Sequence, residues 1–243
     1  MLYLILGDIH GNLAAFEAVL AEARKEGAFD KLICLGDIVG YGPEPHECIQ
    51  LIQAQNNSCV AGNHDRAVSG KISVNGFNSQ AAEAINWTAG RLTATDLDYL
   101  NSLPEKTVFA EFTCTHGSPR DPISEYLLSA ISAEDNFPYF DTDICLVGHT
   151  HIPLIFENSH EGALLHEFRD GDVFPIGGNQ VIINPGGVGQ PRDNDPRAAY
   201  AIYDTDKNAV FARRVEYDIA ATQMKMREAG LPDFLINRLS YGY

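Results

Sequence analysis

Five apolar stretches of this chain each run into a tight turn that carries an acid, an amide or an imidazole. Leu2–Leu6 leads into Gly7-Asp8-Ile9-His10, Leu32–Leu35 into Gly36-Asp37, and Ser58–Ala61 into Gly62-Asn63-His64-Asp65. Val108–Thr115 leads into His116-Gly117, and Asp143–Val147 into Gly148-His149-Thr150-His151. A short continuous apolar run is the pattern of a strand covered on both faces, as in a parallel sheet flanked by helices. Such sheets bind ligands beyond the carboxyl ends of their strands. The repeated design therefore predicts an α/β fold with one site built from five strand ends.

The segments between these runs support that class. Asn12 can cap a helix whose apolar stripe is Leu13, Phe16, Val19, Leu20 and Ala23, with Gly27 as its stop. Strand, helix and strand in that order predict a right-handed βαβ unit. Pro45 suits the first turn of a helix through Gln55. From Arg66 to about Lys106 no run delivers a ligand; the pattern gives a helix near Ser79–Ala89 and another after Thr95. This span reads as a helical insertion within a single 1–243 domain, either a lid beside the site or plain outer-layer helices. A helix is expected in the Ser124–Ala133 region. Beyond His151, short runs separated by Asp170-Gly171, Gly177-Gly178 and Pro185-Gly186-Gly187 suggest antiparallel strands and a second sheet packed on the first. The tail reads as helical from Ile219 to Gly230, then irregular.

Composition narrows the function classes. A formal charge of −16 argues against a DNA- or membrane-binding polyanion scaffold, which needs a basic face. It does not exclude a small phosphorylated substrate, because bound divalent cations would reverse the local field. No apolar run reaches the roughly 18 residues of a membrane span. Leu2–Leu6 has no basic stretch before it and is soon interrupted by Asp8 and His10, unlike a secretory signal. A cytoplasmic location is expected. The five cysteines include no C-x-x-C pair and sit in apolar runs or a helix, as buried structural thiols do.

Taken singly, each candidate has an ordinary reading. Asp8 and Asp37 can be turn residues, His116 a hydrogen-bonded core histidine, and Asn63-His64-Asp65 a polar turn. Taken together they supply carboxylates, imidazoles and one amide oxygen at strand ends, a donor set that suits Mn²⁺, Fe, Zn²⁺ or Ni²⁺ better than a Ca²⁺ cage or a thiolate site. Two metals about 3.5–4 Å apart can clamp the attacking and leaving oxygens of a phosphoryl group. His46, His160 and His166 fit none of these positions and read as solvated or structural.

The ordered set Asp8-x-His10, Gly36-Asp37, Gly62-Asn63-His64-Asp65, His116 and Gly148-His149-Thr150-His151 resembles the calcineurin-like metallophosphoesterase superfamily. The Asn184–Arg192 segment is similar to its compact bacterial and archaeal phosphodiesterase-like branch. The resemblance implies a four-layer α/β/β/α sandwich of two mixed sheets flanked by helices. It also implies two divalent transition metals, with Mn²⁺ favoured. Asp8, His10, Asp37 and His151 would hold the first; Asp37, Asn63, His116 and His149 would hold the second. A metal-bridging hydroxide would attack phosphorus, His64 would contact the phosphate and protonate the leaving oxygen, and Asp65 would support His64 or its loop.

The function expected is a dinuclear metal-dependent phosphoesterase acting on a small phosphodiester, phosphomonoester or dinucleoside polyphosphate. Arg192, after a glycine-rich turn with Asp193 and Arg197 nearby, is a candidate phosphate ligand. The alternative from another class is a noncatalytic interaction scaffold with the same fold, although such relatives have typically lost metal-ligand histidines. A metallo-β-lactamase-like hydrolase lacks support, since His149-Thr150-His151 is followed by Ile152-Pro153 rather than by the rest of an H-x-H-x-D-H cluster. Neither a membrane nor a nucleic acid is an expected partner.

Overall fold

Asn12 starts the first crossover as expected, its side chain accepting from Ala15 N. The chain runs from β1 (Leu2–Leu6) through α1 (Leu13–Lys25) to β2 (Lys31–Cys34), and through α2 (Pro45–Gln53) to β3 (Asn57–Cys59). β1, β2 and β3 pair in parallel. A computed structural model describes residues 1–27 and 29–243. Next come α3 (Asn63–Val68), a 3₁₀ turn at Val74–Gly76, α4 (Ser79–Ala89) and α5 (Ala94–Ser102). Thr93 and Asp96 cap α5 reciprocally, which sets its start before the expected Thr95.

The reading of Val108–Thr115 as one strand is corrected by a hairpin. β4 (Lys106–Phe109) and β5 (Phe112–Thr115) pair antiparallel around Ala110, whose φ of 48° is an unusual choice for alanine. No glycine, proline or asparagine marks that turn. The helix expected over Ser124–Ala133 is also corrected: only α6 (Ala130–Glu134) forms, capped by Ser129. Ser118 and Arg120 before it and Asn136 after it all donate to Glu125, holding residues 124–129 as a loop.

β6 (Ile144–Leu146), β7 (Leu154–Ser159), β8 (Gly162–Glu167), β9 (Val173–Pro175), β10 (Val181–Asn184), β11 (Ala198–Asp204) and β12 (Ala209–Val215) follow. Two six-stranded sheets result, ordered β3-β2-β1-β11-β12-β9 and β4-β5-β6-β10-β7-β8. Both are mixed. The late strands do not make a separate antiparallel sheet, because β11 returns to pair with β1 while β5 and β6 found the second sheet in parallel. The chain closes with α7 (Ile219–Glu228) and α8 (Asp233–Arg238), so a second helix replaces the irregular tail.

Period-two alternation explains the layers. From β1, Tyr3 and Ile5 face the second sheet and pack with Phe112, Ile144 and Ile183, while Leu4 and Leu6 face α1 and meet Phe16, Val19 and Leu20. Cys145, Phe156 and Ile182 on the far face of the second sheet pack on Leu127, Ala133 and Phe137. α7 and α8 form a separate apolar cluster with α4. All five cysteines are buried and free, as their apolar settings predict. No helix among the described residues is long and apolar enough to cross a membrane. The fold is the expected α/β/β/α arrangement, and it turns the ends of β1, β2, β3, β5 and β6 toward one place.

Candidate metal centre

The turns after these strands are laced to one another through their backbones. Asp8 N donates to Gly36 O at 3.0 Å and His10 N to Asp37 O at 2.9 Å, joining the loops after β1 and β2. Gly148 N donates to His116 O at 2.8 Å, joining those after β5 and β6. Asp8, His10, Asp37, His149 and His151 all take left-handed backbone conformations, with φ between 52° and 67°. Each costs of order 1 kcal/mol or more, and such conformations gather at functional sites. The turn before Asn63 has no room for a side chain: a Cβ on Gly62 would overlap Asp37 Oδ1.

Two clusters result, and they share Asp37. Asp8, His10, Asp37 and His151 present ligand-type atoms within 4.8 Å of one another, as do Asp37, His116 and His149. Asn63 Oδ1 lies 3.0 Å from His116 Nε2. Six of the seven candidate ligands thus fall in these two groups, and Asn63 lies against the second through His116.

The hydrogen bonds around the rings fix which nitrogens face inward. A carbonyl can only accept, so a neutral ring beside one must donate to it. His10 Nδ1 lies 3.2 Å from Val39 O, His151 Nδ1 2.6 Å from Gln190 O, and His116 Nδ1 2.8 Å from Leu35 O. His149 uses Nε2 instead, 3.2 Å from Ser124 O. The remaining nitrogens of all four rings are thus lone pairs. They face each other, with His10 Nε2 3.1 Å from His151 Nε2 and His116 Nε2 3.0 Å from His149 Nδ1. Asp37 Oδ2 lies 3.4 Å from His116 Nε2, and Asp8 Oδ1 3.3 Å from His151 Nε2. Asp8 Oδ2 is buried with no donor at all. Electron pairs converging without a proton between them form a donor set that fits divalent cations.

Titration follows the same logic. Burial pushes the Asp8 carboxyl up to about 7 against the pull of Arg192. Burial, with the charges of Asp65 and Asp8, holds Asp37 well above the carboxylate range. Burial drives His116 down to about 3; burial with the His116 charge drives His149 to about 2. His10 and His151 are also pushed well down by burial, helped by Arg192. Without cations the protein resists charging either its acids or its imidazoles; positive ions would reverse the penalty on the acids and use the neutral imidazoles as they stand.

Next to the clusters lies a cavity of about 590 Å³ lined by Asp37, Asn63, His64, His149, His151 and Arg192, among others. His64 enters it with its ring edge-on to Phe77 at 5.1 Å and its Nδ1 buried and unpartnered. Burial, with Arg192 and His149, keeps this imidazole neutral. Asp65 does not reach the His64 ring. It accepts from Gly62 N at 2.9 Å and Val39 N at 3.2 Å, bracing two loops. Arg192 reaches the cavity, but its neighbours do not: Asp193 pairs with Arg214, and Arg197 with Asp195 and Asp170. His46 and His166 pair with Asp96 and Glu157, and His160 is exposed.

Other cavity residues carry no sequence signal. Tyr41 and Phe77 press on His64, Tyr126 stacks on His149 with ring centroids 3.8 Å apart, and Arg238 arrives from α8. Outside the cavity, Asn184 at the head of the Asn184–Arg192 segment supports the site: fully buried, it donates to Gly148 O at 2.6 Å and Thr150 Oγ1 at 2.9 Å, pinning the His149-Thr150-His151 turn to β10.

The chain is similar to known proteins. An uncharacterized protein of Methanocaldococcus jannaschii is 41% identical over 243 residues, covering 98% of this chain and 97% of its own. The crystal structure of a metallophosphoesterase from Sphaerobacter thermophilus superposes with a TM-score of 0.91 at 48% identity, covering 100% of this chain and 99% of that one. Over a short stretch, the symmetrical bis(5'-nucleosyl)-tetraphosphatase of Chromohalobacter salexigens is 39% identical across 62 residues, 25% of this chain and 23% of the relative. A family model for the calcineurin-like phosphoesterase superfamily domain matches residues 1–208. With the strand ends, the paired clusters and these likenesses in agreement, the chain belongs to the calcineurin-like phosphoesterase superfamily, among its compact prokaryotic metallophosphoesterases.

Proposed function

We propose that this protein is a dinuclear metal-dependent phosphoesterase that hydrolyses a small phosphorylated substrate. The carrying observation is four imidazole lone pairs that converge with the Asp8 and Asp37 carboxylates, with no side-chain donor among them. Asp8, His10, Asp37 and His151 would hold one divalent ion, and Asp37, Asn63, His116 and His149 the other, with Mn²⁺ favoured. When bound, such ions acidify water and neutralise phosphoryl charge.

The chain's own residues supply the rest. Arg192 offers a guanidinium fork to a phosphoryl oxygen; Gln190 Oε1, 3.0 Å from its Nη2, steadies it. Asn63 and His64 stand at the cavity wall where that group would rest. Neutral in the free site, His64 would gain a proton once an anionic substrate lies beside it. With Nδ1 buried, that proton would leave from Nε2 to the departing oxygen, as the bond from phosphorus to that oxygen breaks and water's oxygen takes its place. Asp65 holds the loops that carry this ring. Residues 66–106 act as a helical insertion forming one cavity wall. Five free thiols support a cytoplasmic setting. The tetraphosphatase likeness adds dinucleoside polyphosphates to the substrates worth testing.

The test is hydrolysis by metal-stripped protein reloaded with Mn²⁺, against an aryl phosphodiester, an aryl phosphomonoester and diadenosine tetraphosphate. Metal-dependent turnover that collapses in Asp37→Asn and His64→Ala supports the reading. No turnover above those variants, with metal bound, overturns it in favour of a noncatalytic metal-binding scaffold.

A further inference from the structure

Arg192 and Arg238 face the same cavity, and no Asp or Glu side chain pairs with either among the described residues. That is unusual for a chain with 33 acidic and 17 basic side chains. Arginines of the neighbouring surface do find acids: Arg197 pairs with Asp195, Arg213 with Glu26 and Arg214 with Asp193. Arg192 leaves Nε buried without a partner. Arg238 donates from Nε to the Tyr243 backbone oxygen, and no Asp or Glu side chain accepts from its terminal amino groups among the described residues. Burial and the Arg192 charge together bring the Arg238 guanidinium down to about 10. Two like charges held over one cavity are a cost that an anion between them would remove.

The placement of Arg238 is built. α8 is anchored by Leu235, Ile236 and Leu239, which pack with Ala81 and Ala84 of α4 and with Tyr41. Gly242 N donates to Arg238 O at 3.0 Å, and Asn194 N donates to Gly242 O at 2.7 Å, tying this helix end to the loop that carries Arg192. The element lies beyond residue 208, where the family match stops. Tyr126, with its ring on His149, is half exposed, and with Phe77 it gives the cavity aromatic walls.

We propose that Arg238 and Arg192 form a second phosphoryl subsite beside the metal centre, so that the preferred substrates carry two or more linked phosphoryl groups and an aromatic base, as nucleoside polyphosphates do. One phosphoryl group rests at the metal clusters within reach of Arg192, the next is gripped by Arg238 with the Arg192 fork shared between the two, and the base lies against Tyr126 and Phe77. A forked guanidinium suits phosphoryl oxygens better than a lysine point charge does. This inference rests on the phosphoesterase reading for what happens to the bound molecule, but the subsite can be measured by binding alone.

The experiment is calorimetric titration of Mn²⁺-loaded protein with inorganic pyrophosphate and, separately, with orthophosphate, for the wild type, Arg238→Gln and Arg238→Lys. The wild type should bind pyrophosphate about tenfold or more tighter than orthophosphate, as a charged hydrogen-bonding fork would give. In Arg238→Gln that ratio should fall below about threefold, and Arg238→Lys should recover part of it. A ratio unchanged in Arg238→Gln, or equal weakening of both anions, overturns the subsite. Should that variant fail to fold, phenylglyoxal labelling of the wild type read by mass spectrometry decides: pyrophosphate should shield Arg238 where orthophosphate does not, and equal labelling overturns the proposal. A protein that hydrolyses nothing yet keeps the Arg238-dependent ratio would refute the phosphoesterase reading and leave the subsite standing.

Discussion

The backbone N–H of His64 donates to Asp37 Oδ1 at 2.8 Å, so the acid shared by the two clusters also seats the imidazole beside them. Asp37→Asn keeps an oxygen for that bond and removes the charge between the clusters. Metal content, read by plasma mass spectrometry, should fall from two ions per chain to about one or fewer, with activity down about a hundredfold or more. The metal-free variant should also melt higher than metal-free wild type, because a carboxyl buried beside Asp65 and Asp8 is no longer forced on the fold.

His64→Ala separates chemistry from metal retention. The His64 ring belongs to neither cluster, so two ions per chain should remain. The loss should appear in kcat, about 10²- to 10⁴-fold for a proton-transferring group, and should be smallest for substrates with the most acidic leaving groups. Loss of metal in this variant would instead make the ring a structural support.

Asn184→Ala tests a support that touches no ligand atom. It frees Gly148 O and Thr150 Oγ1 in a fully buried place, which should cost about 1–3 kcal/mol. Metal affinity should drop about 10- to 100-fold as the turn loosens. Chemical unfolding and metal titration would read the two effects separately.

The metal-free protein should show a stability maximum in pH. Asp8, raised by burial to about 7, and Asp65, raised by burial to about 6, contribute stability while protonated and lose it as pH climbs from the unfolded carboxylate value through those points. The lowered imidazoles act oppositely. Their stability is whole above about 6.5 and is lost as pH falls toward about 3 for His116 and about 2 for His149. Five lowered imidazoles outweigh three raised carboxyls in the acid range. Thermal melts of chelator-treated protein should therefore peak near about pH 6.5 and decline toward pH 8. Loading with Mn²⁺ at about 100 times its dissociation constant should add about 2.7 kcal/mol and flatten the alkaline decline.

Much of this was legible in the residues because strand ends and donor chemistry are local properties. α4 falls at Ser79–Ala89 as its periodicity implies, and six of the seven candidate ligands fall in the two clusters, with Asn63 against the second. Strand pairing is not local. Nothing in Ala198–Asp204 says that it pairs with Leu2–Leu6 as well as with its sequence neighbour β12. Ala110 turns a hairpin without a turn residue, and the 124–129 loop is decided by Glu125 and its three donors, all of them five or more residues away. Arg238 enters the cavity through packing of α8 on α4, which no motif announces.

The left-handed turns at Asp8, His10, Asp37, His149 and His151 have an evolutionary consequence. Besides glycine, the side chains that enter that backbone region most readily are asparagine, aspartate and histidine. These are also oxygen and nitrogen donors to metals. The loops thus filter the mutations they accept: the substitutions that strain these corners least exchange one ligand type for another or delete the ligand outright, and rarely install a hydrophobe. A lineage built on this scaffold can change which metal it prefers by single steps that leave its turns intact.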